Sequence, residues 1–134
     1  MEDKMGCHTF FECKDKLGIL ELITGSKEEL AKCMGSNFTE LDPAKSEGAG
    51  EKHLPCVSIA GNLVTVSVGS VAHPMSEEHS IGWIYLETAE GSQLKKLTPD
   101  SEPKAVFALA PNDKPVAAYA YCNLHGFWKT DIKS

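Results

Sequence analysis

The sequence contains no arginine: all thirteen of its basic residues are lysine, against nineteen acidic residues, for a formal net charge of -6. Guanidinium is the group that clamps phosphates and reads base edges, so an acidic chain without it is not expected to bind nucleic acid. Long apolar runs are missing too. Stretches such as Ala105–Ala110 fall far short of the roughly 20 residues that span a bilayer as a helix, so no membrane contact is expected. Met1-Glu2-Asp3-Lys4 is charged where a secretory leader would be apolar. There is no internal repeat, no low-complexity tract and no long helical periodicity. What remains is a cytoplasmic globular chain of 134 residues, 42% of them hydrophobic. That is enough for one ordinary domain, or one domain with a small appendage.

Cysteine usage agrees with a reducing compartment. Cys7, Cys13, Cys33, Cys56 and Cys122 are odd in number and irregular in spacing, unlike a secreted disulfide framework. A free cysteine is by default a small core residue. Cys56, within a strand pattern, is expected to be one.

The stretch 42–50, DPAKSEGAG, has no apolar period and reads as a linker between a part at 1–41 and a part at 51–134. Charge is spread over both parts. The first is too small to build much core alone. Phe10–Cys13 and Ile19–Ile23 are strand candidates there, and Ser26-Lys27-Glu28-Glu29-Leu30 suits a capped helical turn. In the second part, Cys56–Ala60 and Leu63–Val68 flank the hairpin signal Gly61-Asn62. Ile81–Leu86, Gln93–Leu97, Ala105–Leu109 and Val116–Tyr121 continue the series. Six or seven short strands at this spacing predict an all-β, antiparallel sandwich or barrel.

Four of the five histidines, His53, His73, His79 and His125, lie in the second part, each in a predicted loop at a strand end. Loop positions at strand ends can converge in a sandwich although far apart in sequence. Imidazole and thiolate together select transition metals over the hard cations. Cys122-Asn123-Leu124-His125 is the tightest local pair. Spacing alone does not choose the metal: four Cys/His ligands suit structural zinc, and two histidines with one cysteine suit blue copper. Four histidines plus Cys122 are one donor too many for a closed tetrahedron.

Glu51-Lys52-His53-Leu54-Pro55, Val68-Gly69-Ser70-Val71-Ala72-His73-Pro74-Met75, Glu78-His79-Ser80-Ile81-Gly82-Trp83-Ile84 and Tyr121-Cys122-Asn123-Leu124-His125-Gly126-Phe127-Trp128 occur in that order. Together they closely resemble the superoxide reductase family (desulfoferrodoxin and neelaredoxin) through essentially all of 51–129. The resemblance implies an immunoglobulin-like β-barrel holding one mononuclear non-haem iron. It implies His53, His73, His79 and His125 as an equatorial square and Cys122 as the axial thiolate. The remaining axial position would be left for superoxide, or for Glu51 in the resting ferric state, with Lys52 guiding the anion. It also implies an outside electron donor such as rubredoxin.

The N-terminal part departs from the two-iron members, whose small β domain carries Cys-x-x-Cys and a later Cys-Cys pair. Here Phe11-Glu12-Cys13-Lys14-Asp15-Lys16 and Glu29-Leu30-Ala31-Lys32-Cys33 resemble that desulforedoxin-like frame with Lys16 and Lys32 in place of two thiols. Two thiols cannot complete a tetrathiolate iron site. Cys7 and His8 could join Cys13 and Cys33 around zinc, although their spacing is not diagnostic. The favoured expectation is a vestigial domain kept for packing or for homodimer contact.

Overall fold

The computed structural model describes residues 8–16, 18–43, 50–70 and 73–133, with the main chain alone for 51 and 52. It divides into two compact units, Met1–Asp42 and Pro43–Ser134. Most of the linker stretch, 44–49, lies outside the described residues.

In the first unit, strands β1 (Thr9–Cys13), β2 (Ile19–Leu22) and β3 (Phe38–Glu40) form an antiparallel sheet in the order β2-β1-β3. Phe11 is fully buried and packs edge-on against Phe38, ring centroids 5.1 Å apart. The expected helical turn at Ser26 is longer than its sequence signal: α1 runs from Lys27 to Met34. Ser26 caps it reciprocally, its hydroxyl accepting from the Glu29 N–H at 3.1 Å while the Glu29 carboxylate accepts from the Ser26 N–H at 3.0 Å. Strand β3 escaped the sequence reading because three residues with one apolar side chain carry no periodicity.

The second unit opens with a single helical turn, α2 (Gly50–His53), and continues as seven strands. These are β4 (Pro55–Ala60), β5 (Leu63–Val68), β6 (Ile81–Thr88), β7 (Gly91–Lys96), β8 (Lys104–Ala108), β9 (Pro115–Cys122) and β10 (Gly126–Asp131). They form two antiparallel sheets, β10-β9-β6-β7 and β4-β5-β8. Val64, Val66, Val68 and Phe107 of one sheet share a core with Ile84, Leu86, Ala118, Ala120 and Cys122 of the other. This is the two-layer antiparallel sandwich that the sequence predicts. Gly61 turns the β4–β5 hairpin at φ 62, where its backbone, not any crowding, calls for glycine. The two sheets are stapled where β7 meets β8: Gln93 donates to the Ala108 carbonyl at 2.7 Å and Lys95 donates to the Val106 carbonyl. Those carbonyls would otherwise stand unpaired on an edge strand.

Cys56 corrects its expectation. It sits in a strand but is exposed. It pairs with Ser67, while the neighbouring pair Val57 and Val66 faces the core, and side chains alternate along a strand. The strand lies where its pattern predicts, and its phase turns Cys56 outward.

Candidate metal centre

Several strand termini meet at one end of the sandwich. His53 lies two residues before Pro55, which pairs with Val68 at the end of β5, and His73 follows in the loop after that strand. Ile81 at the start of β6 pairs with Cys122 at the end of β9, which brings His79, two residues upstream, beside the thiol. Cys122 also pairs with Gly126, so His125 lies inside a tight β9–β10 turn. Sheet register thus gathers residues drawn from more than seventy positions of sequence.

The gathering is regular. Neighbouring imidazole centroids are 4.7 Å apart for His53 and His73, 4.6 Å for His73 and His79, 5.1 Å for His79 and His125, and 4.8 Å for His125 and His53. Each neighbour is turned 72–81° from the next. His53 and His79 face each other across a longer 6.4 Å, as opposite corners of a square must. Donor atoms of His53, His79, Cys122 and His125 all lie within 4.8 Å of one another. The His125 Nδ1 and His53 Nε2 are 3.1 Å apart. That is close to the separation of two nitrogens bound side by side to one ion at about 2.1 Å. Cys122 is fully buried; its sulfur accepts from the His125 N–H at 3.4 Å and lies 3.9 Å from the His125 Nδ1.

His73 shows which nitrogen is free to bind. Its Nδ1 donates to the Pro74 carbonyl at 2.7 Å, fixing the tautomer. The opposite Nε2 is buried with no hydrogen-bond partner among the described residues. Burial holds the His73 pKa down to about 4, and the neighbouring imidazoles push the same way against the bond to Pro74. The ring is therefore neutral at neutral pH, with a lone pair available. A buried acceptor left unsatisfied is costly, and a metal ion would satisfy it. Four imidazoles and one cysteine sulfur are a donor set for iron, copper or zinc and not for calcium or magnesium.

Trp128, at the end of the last motif, supports two of the histidines. Its ring stacks on His53 at 4.9 Å and 15°, and its Nε1 donates to the His125 carbonyl at 3.1 Å. One side chain thus fixes two of the imidazole-bearing segments. The signal available in sequence was its position three residues after His125, which by itself names no partner.

Glu51 and Lys52 lie on α2, directly before His53; the positions of their side chains fall outside the described residues. In the first unit the zinc alternative finds no such gathering: among the described residues no set of three metal-binding side chains forms there. The His8 Nδ1 is 3.0 Å from a Glu21 carboxylate oxygen, and Cys7 lies outside the described residues. Cys13 lines an open hollow with Lys14, Asp15, Met34 and Asn37, while Cys33 is exposed.

A family model described as Desulfoferrodoxin matches residues 45–131. A desulfoferrodoxin from Clostridium acetobutylicum is 41% identical over 83% of this chain and 86% of its own length. The chain belongs to the desulfoferrodoxin family.

Among solved structures, the superoxide reductase from Treponema pallidum is similar with a TM-score of 0.79 and 38% identity, over 92% of this chain and 98% of that one. A superoxide reductase from Giardia intestinalis, designated 1Fe-SOR, is similar with a TM-score of 0.55 and 36% identity. It covers 63% of this chain and 99% of its own, so the family's fold extends to members shorter than this one. Both neighbours carry the name of an oxidoreductase.

Proposed function

We propose that this protein is a superoxide reductase, reducing superoxide by one electron to hydrogen peroxide at a mononuclear non-haem iron centre. The observation that carries this reading is the square of four imidazoles with a buried thiol beside it, in a chain of this family. His53, His73, His79, His125 and Cys122 would hold the iron. Iron(II) bound by these residues would supply the electron, and an outside donor such as rubredoxin would restore it. Superoxide gains that electron and two protons from water to become hydrogen peroxide, so atoms and charge balance.

The surrounding residues shape the reaction. Neutral imidazoles leave positive charge at the centre, whereas carboxylate ligands would repel an anion. Lys52 draws superoxide towards the site against the net charge of -6. Glu51, two residues before His53, would offer a carboxylate to the metal after turnover. The His125 N–H on the Cys122 sulfur moderates how strongly the thiolate donates electron density.

The remaining parts of the reading are organisation and setting. Residues 1–41 form a vestigial desulforedoxin-like domain, 42–50 the linker and 51–134 the catalytic domain. The first domain has kept its sheet and helix but not a tetrathiolate, and serves packing or contact within a homodimer. The protein works in the cytoplasm; no helix among the described residues is long and apolar enough to cross a membrane.

Metal content and colour test the centre. The purified chain should hold one iron, not two, and absorb visible light when oxidised through its iron–thiolate bond. Cys122→Ser should lose that band, while Cys56→Ser, exposed and not among the clustered donors, should keep both band and iron. Colourless protein loaded with zinc, or equal iron loss in the two variants, would overturn the assignment.

A further inference from the structure

Asn123 stands between two donors, Cys122 and His125, yet nothing in the proposed reaction uses it. Its contacts run instead to the loop that carries a third donor. The Asn123 Oδ1 accepts from the Ser80 N–H at 3.0 Å, and its Nδ2 donates to the Glu78 carbonyl at 2.9 Å. Its own N–H donates to the Ser80 carbonyl at 3.2 Å. Glu78 and Ser80 are the residues on either side of His79. The carboxamide therefore grips the backbone before and after that histidine with an acceptor at one end and a donor at the other.

We propose that Asn123 is a positioning residue that fixes His79 against Cys122 and His125, so that the metal site is shaped before an ion enters. Residues 73–80 belong to no strand, and the next strand residue, Ile81, is where ladder pairing to Cys122 begins. Within the loop, the Ser76 hydroxyl accepts from the His79 N–H at 3.2 Å, and the Ser76 N–H donates to the His79 carbonyl at 2.9 Å. That contact sets the shape of the loop but does not locate it relative to the β9–β10 turn. Asn123 ties the loop to that turn, and aspartate in its place would keep the acceptor for Ser80 but lose the donor to Glu78. Pre-ordering a ligand before binding spares the ordering cost at the moment the ion arrives.

The inference rests on the reading of His79 as a metal donor, and a double-mutant cycle on the full chain separates the two. The metal-free protein is titrated with Co(II), and affinity is read from the colour of the cobalt–thiolate bond. Asn123→Ala should weaken Co(II) binding by roughly ten- to a hundredfold, the usual cost of losing a partner that orients a ligand, and Asn123→Asp by less. In a His79→Ala background the same Asn123 substitutions should have almost no further effect, because the side chain they position is gone. Equal losses in both backgrounds would make Asn123 a general support of the fold and overturn the proposal, as would unchanged affinity in Asn123→Ala. Unchanged affinity in His79→Ala would remove the donor assignment and the proposal with it. Should the alanine variant fail to fold, the aspartate variant decides by the same comparison.

Discussion

Lys52 is proposed to guide superoxide towards the centre, and that role is open to a direct test. One unit charge about 5 Å from an anion, at an effective dielectric near 20, is worth roughly 3 kcal/mol before solvent reduces it. Lys52→Ala should therefore leave iron binding intact but slow the second-order reaction with superoxide about tenfold. Raising salt should slow the parent more than the variant, since the screened attraction is already gone from the latter. Pulse radiolysis at two ionic strengths reads both. An unchanged rate with an unchanged salt slope would reduce Lys52 to a solvated surface charge. His73 gives a second expectation, about pH. Its folded pKa of about 4 lies below the ordinary histidine value of 6.5, so in that interval the unfolded chain binds more protons. The metal-free protein should keep the full His73 contribution above about pH 6.5 and lose it as pH falls towards 4. Urea midpoints across that range should drop with acid, and His73→Leu should remove part of the drop. An identical profile in the variant would contradict the assignment.

Among the elements, α1 has the clearest local cause. It exposes most of its side chains and buries none fully, so its stability leans on its ends more than on packing. Ser26→Ala removes the hydroxyl that caps the Glu29 N–H and should cost about 1 kcal/mol of helix stability. Denaturation of the full chain followed by circular dichroism checks this, and metal content should not change, because no donor of the centre lies in the first unit's helix. Loss of metal in that variant would show that α1 supports the centre.

At the scale of the molecule, the sequence was most legible where local patterning was strong. Val64, Val66 and Val68 alternate with Thr65 and Ser67, and they became the buried face of β5. The Gly61-Asn62 signal became the β4–β5 turn. Strand β10 gave less away: Gly126–Asp131 mixes Phe127 and Trp128 with Lys129, Thr130 and Asp131, so neither a clean alternation nor an apolar run marks it. Cys56 shows the other limit, since a one-residue change of phase moves a side chain from core to solvent and composition does not set phase. For the candidate centre, residue types and the family resemblance point to the four histidines and Cys122, which the fold brings together. Their mutual geometry was not legible, because it is made by pairings such as Ile81 with Cys122 and Pro55 with Val68, which are products of register. The supports were hidden for the same reason: Trp128 meets His53 only once β10 and α2 are folded together at that end of the sandwich.

The iron-loaded chain is expected to reduce superoxide and not to dismutate it. The direct measurement is an anaerobic stopped-flow reaction of the reduced protein with a limiting amount of superoxide, counting hydrogen peroxide and dioxygen together. One peroxide should form for each superoxide consumed and for each iron oxidised, with no dioxygen released. Half as much peroxide accompanied by dioxygen, or no oxidation of the iron at all, would contradict the account.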